Sequence, residues 1–120
     1  DNPDAAMTAV DEPTREIAAK HGLHFEPGRS VLELRSSRLT KADALREIGA
    51  EFRPAAVAFL GDDLGDIPAF KLLNELRANG LVCCAVVSVS QEQPALVEYA
   101  DVICNGPDGI ADWLHSLLAE

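Results

Sequence analysis

Phe59-Leu60-Gly61-Asp62-Asp63-Leu64-Gly65-Asp66-Ile67-Pro68-Ala69-Phe70 is the stretch on which the reading of this chain turns. An apolar run from Ala56 to Leu60 predicts a strand that Gly61 ends, and three acids follow in a glycine-containing turn. Pro68 in the first turn, with Asp66 as a candidate N-cap, then opens a helix predicted over residues 67–78. The pattern continues on both sides. A helix is predicted over residues 41–49 ahead of the strand, and strands over 82–87 and 101–104, a short helix over 94–99 and a last helix over 109–118 after it. Strands that are continuous apolar runs, alternating with helices, indicate an α/β fold with a parallel sheet covered by helices on both faces.

The start of the chain has a different rhythm. A helix over residues 3–20, broken or kinked at Pro13 and stopped at His21-Gly22, leads into a strand over 23–26, a turn at Pro27-Gly28 and a strand over 30–35. Alternation puts Val31, Glu33 and Arg35 on one face of that second strand and Leu32 and Leu34 on the other. The change of rhythm at residues 36–39 predicts two units, 1–38 and 39–120.

Composition limits the partners. The 120 residues carry 10 Lys+Arg against 20 Asp+Glu, a formal charge of −10 that repels nucleic acid and anionic membranes. With no long apolar run and no basic-then-apolar start, a soluble, cytoplasmic protein is expected. Cys83, Cys84 and Cys104 sit in apolar stretches without Cys-x-x-Cys spacing and read as free buried thiols. His21, His24 and His115 are too scattered for a zinc set.

Ligands of open parallel sheets bind at the carboxyl ends of strands, where the acidic turn lies. Crowded carboxylates there either hold a hard cation such as magnesium, completed by water and substrate phosphate, or divide into a helix cap and two solvated loop acids. Lys41, at the start of the preceding helix, is either an exposed surface lysine or a point charge for a phosphate or a carboxylate nucleophile. Asn105-Gly106-Pro107-Asp108-Gly109 reads as a turn into the last helix, with phosphate wrapping as the other use of such glycines. Trp113, Leu114, Leu117 and Leu118 predict an amphipathic helix seated on the sheet.

The series Val31-Leu32-Glu33-Leu34-Arg35, then Lys41, then Gly61-Asp62-Asp63 with Asp66 before Ala69-Phe70, resembles the trehalose-6-phosphate phosphatase family of the haloacid dehalogenase-like superfamily. The resemblance implies the C-terminal half of a Rossmann-like hydrolase core over residues 39–120, preceded by the end of an α+β cap over 1–38. It implies Mg²⁺ held at Asp62, Asp63 and Asp66, Lys41 beside the nucleophile and the transferring phosphoryl group, and Glu33 on sugar hydroxyls. The implied reaction releases phosphate from trehalose 6-phosphate through an aspartyl-phosphate, in trehalose biosynthesis. The family's nucleophile is an Asp-x-Asp-x-Thr loop, and no Asp-x-Asp occurs in these 120 residues. The chain therefore reads as a C-terminal fragment that needs the upstream part of the same chain and is inactive alone. Two other readings stay open: another sugar phosphatase of the superfamily, and a non-catalytic acidic module, either receiver-like or a metal-binding regulator. Receivers place their acids before their lysine, the reverse of the order here.

Overall fold

The chain separates into two compact units, Asp1–Leu39 and Thr40–Glu120. The computed structural model describes residues 2–28, 31–89 and 94–119. In the first unit, α1 (Pro3–His21) precedes an antiparallel pair, β1 (His24–Gly28) and β2 (Val31–Arg35). Asn2 caps α1 by accepting from the amides of Asp4 and Ala5, and Gly22 ends it at φ 65°, with its N–H donating to Ala18. A residue with a Cβ would be strained in that conformation.

Two expectations change here. The helix runs through Pro13 without a break. Proline removes one amide donor and crowds the preceding turn, yet 18 other residues stay helical around it, and Thr14 donates to the carbonyl of Val10 at 2.6 Å just beyond. Nor do Pro27 and Gly28 form the turn: they pair with Leu32 and Val31 as part of the ladder. Arg29 and Ser30 lie outside the described residues. Register puts Phe25 with Leu34 and Pro27 with Leu32 on one face, and Glu26 with Glu33 on the other. The Arg15 guanidinium of α1 stacks 4.1 Å from the Phe25 ring, so the hairpin turns its apolar face to the helix.

The second unit is a three-stranded parallel sheet flanked by helices. Its elements are α2 (Lys41–Phe52), β3 (Ala56–Gly61), a 3-10 turn (Leu64–Asp66), α3 (Ile67–Ala78), β4 (Val82–Val89), a 3-10 segment (Pro94–Tyr99), β5 (Val102–Asn105) and α4 (Gly106–Ser116). Strand order is β3-β4-β5, with Phe59 beside Ala85 and Val87 beside Ile103. The short helix expected at 94–99 is a 3-10 segment, and the last helix begins at Gly106, so the glycine-containing stretch expected as a turn forms its first turn.

Phe70, Leu73, Ala85, Val87 and Leu96 form the core, with Leu45, Val57, Phe59 and Tyr99 packed around them. The Phe70 ring meets Phe59 edge-on and lies parallel to Tyr99. On the opposite face of the sheet α4 approaches so closely that a Cβ on Gly109 would lie 3.3 Å from Cys104. Asp101 extends the ladder beyond β5: its N–H donates to the Ala85 carbonyl and its carboxylate accepts from the Ala85 N–H. Arg77 joins the same carboxylate.

The cysteines and α4 depart from expectation. Only Cys104 is buried; Cys83 and Cys84 are half-buried because cover thins toward the start of β4, where Val82 is exposed. Burial and the nearby Asp101 carboxylate still push the Cys84 thiol pKa up. The last helix ends at Ser116, and Leu114, Leu117 and Leu118 face solvent rather than the sheet.

Candidate functional site

Four of the five candidate residues converge at the carboxyl end of β3. A lysine at the first position of a helix is electrostatically misplaced, because the amino terminus already carries partial positive charge. The start of α2 is closed without Lys41: Thr40 and Asp43 form a reciprocal capping box, with the Asp43 carboxylate accepting from the Thr40 N–H at 2.7 Å. Those Thr40 donors hold the Asp43 carboxyl below its usual range. Lys41 instead reaches across to the carboxylate of Asp66.

Asp66 is the one buried charged residue among the described residues, at 2% exposure. Its side chain makes no cap to α3, contrary to the expectation from sequence. It turns back: Oδ1 accepts from Lys41 Nζ, while Oδ2 accepts from the N–H groups of Asp62 at 2.8 Å and Asp63 at 3.0 Å. Asp63 spends its own carboxylate on the 3-10 turn, accepting from the Leu64 N–H at 2.7 Å. The Asp62 side chain is exposed and has no hydrogen-bond partner among the described residues.

Sequence reasoning missed the residue that permits this geometry. A Cβ on Gly61 would lie 2.7 Å from both Cβ and Oδ2 of Asp66, closer than atoms can approach without displacement. The signal was present in the glycine that separates an apolar strand from paired acids. Thr40-x-x-Asp43 was equally legible as a cap.

The arrangement is a buried acid that holds a lysine ammonium with one oxygen and, with the other, the backbone of the turn that carries the exposed Asp62. Among the described residues no group of three or more His, Cys, Asp or Glu side chains is placed to hold a metal ion. Of the three turn acids, Asp62 is the one whose carboxylate accepts no hydrogen bond from the described residues, which suits magnesium, a cation that takes one or two protein carboxylates and fills its octahedron with water and phosphate.

Glu33 belongs to the first unit. It is exposed on β2, opposite Glu26, on the face away from Phe25 and Leu34. A groove of about 340 Å³ between α1 and β2 is lined by Met7, Thr8, Asp11, Glu12 and Leu32, so Glu33 stands outside it. Arg35 shares the Glu33 face by alternation and is also exposed.

No helix among the described residues is long and apolar enough to cross a membrane. The chain matches no known family model and no curated protein.

Proposed function

We propose that this chain carries the lysine and acidic-turn half of a magnesium-dependent phosphomonoester hydrolase of the haloacid dehalogenase type, acting on trehalose 6-phosphate. The observation that supports this reading is the Lys41–Asp66 pair, anchored by the Asp62 and Asp63 amides at the end of β3. Asp66 closes the 3-10 turn through the Asp62 and Asp63 amides and keeps its other oxygen for Lys41 rather than capping α3. In the proposed site Asp62 is the metal ligand, and Asp63 and Asp66 shape the turn. Lys41 lies 59% exposed although its partner is buried, so its ammonium keeps donors free for a phosphoryl oxygen. Bound magnesium would neutralise charge on the phosphoryl oxygens.

In this reading the aspartate nucleophile comes from chain outside these 120 residues, and the first unit is the end of a cap whose Glu33 accepts hydrogen bonds from sugar hydroxyls. The carboxylate of Glu33 opposes that of Glu26 across the hairpin, an unfavourable pairing that hydroxyl donors would relieve. The order of lysine and acids supports this reading over a receiver-like module.

The test begins with the coding sequence upstream of Asp1, where an in-frame Asp-x-Asp-x-Thr after an apolar strand is expected. The protein with that segment restored should release phosphate from trehalose 6-phosphate in the presence of Mg²⁺. Lys41→Ala should slow it by about 10³-fold, the scale of a lost charge-stabilising donor. Glu33→Ala should raise KM for that substrate. A frame that begins at Asp1, or a restored protein without phosphatase activity, overturns the proposal. Equal activity on unrelated sugar phosphates overturns only the trehalose part.

A further inference from the structure

We propose that a second site, at the opposite end of the β3 strand from the acidic turn, binds a small amphiphilic carboxylate. The site is a cavity of about 280 Å³ between α2, α3 and the starts of β3 and β4. Leu45, Gly49, Val57, Leu76 and Leu81 supply its apolar wall, and Arg46 and Arg53 stand at its rim.

The two arginines are in different states. Arg46 already has carboxylates: Glu75 at 3.3 Å and Asp43 at 3.9 Å. Arg53 has no carboxylate within ion-pair distance among the described residues, in a chain with a net charge of −10. Arg53 is also the one non-glycine residue with positive φ among the described residues, at φ 45°, where it ends α2 with its N–H on the Gly49 carbonyl. Glycine would close this helix without strain. An arginine there stores strain, and such outliers cluster where a side chain is used.

The ligand class follows from these features. A planar guanidinium matches a carboxylate with two parallel hydrogen bonds. One unpaired cation balances a monoanion, whereas a dianionic phosphate would meet the excess negative charge of the chain. The cavity is at the small end of the range for small-molecule sites, so the apolar body is a medium-length alkyl chain or a single ring. The inference is independent of the proposed phosphatase site, since no lining residue belongs to it.

Octanoate is a suitable probe, with the neutral 1-octanol as its control, each titrated into the ¹⁵N-labelled chain and followed by amide shifts. Octanoate should shift Gly49, Arg53, Val57, Leu76 and Leu81 and bind about tenfold more tightly than 1-octanol, the effect of one charge-assisted contact. Arg53→Gly relieves the backbone strain, so it should raise Tm while reducing octanoate affinity to that of 1-octanol. Arg53→Lys should retain most of the preference for the anion. The proposal is overturned by absence of shifts at the lining amides, by equal affinity for acid and alcohol, or by undiminished octanoate binding in Arg53→Gly.

Discussion

A single hydrogen atom separates Gly61 from a clash with Asp66. Since the added Cβ of Gly61→Ala would lie 2.7 Å from the buried carboxylate, either β3 or Asp66 must move. Such overpacking costs about 1–3 kcal/mol, which urea denaturation should detect. The restored enzyme should lose more activity than stability, because the displaced oxygen also holds the Asp62 and Asp63 amides and its neighbour holds Lys41. If Gly61→Ala leaves the urea midpoint unchanged, Asp66 is not packed against the strand end as described.

Helix α2 shows how an element reports its own cap. Thr40 donors favour the charged form of Asp43 and lower its folded pKa from the ordinary value of 3.8. A depressed carboxyl pKa contributes stability that is full above the unfolded value and is lost as pH falls through the folded value. Asp43→Asn, which cannot ionise, should therefore unfold at lower urea than the unaltered chain at neutral pH, with the two midpoints converging as pH falls below 3.8 and through the lower folded value. A constant difference across that range would remove the cap from the acid-unfolding account. The elements themselves were largely legible, because apolar strands and periodic helices in unit two repeat a pattern that burial imposes. Where reading failed, long-range contacts decided. Asp66 has a local use as a cap and a distant use for Lys41, 25 residues earlier, and spacing cannot rank them. Leu117 and Leu118 look like core on a helical wheel, but whether a sheet reaches beneath them depends on strand count. Whether Pro13 interrupts a helix depends on what holds its flanks.

At the scale of the molecule, β3 is an edge strand: β4 pairs with it on one side and no described strand on the other. Its Ala56 and Ala58 are exposed and small, leaving backbone donors and acceptors accessible, the situation that promotes association between sheets. The charge of −10 opposes it, but only over the Debye length of about 8 Å at physiological salt. Self-association of the chain should therefore increase from low to physiological salt in sedimentation velocity, and Ala58→Lys should reduce it. Association that weakens with salt, or is indifferent to Ala58→Lys, would place the contact elsewhere.

The two units also differ in how far apart in the chain their partners lie. The β1–β2 ladder closes over neighbours, from Gly28–Val31 outward to His24–Arg35, whereas every strand pair of the second unit is parallel and must wait for an intervening crossover. Closing such loops costs chain entropy before any contact repays it, which slows folding. A ribosome releasing this chain would thus free the helix and hairpin before the parallel sheet can form, while β3 carries its acidic turn unpaired until β4 has been made.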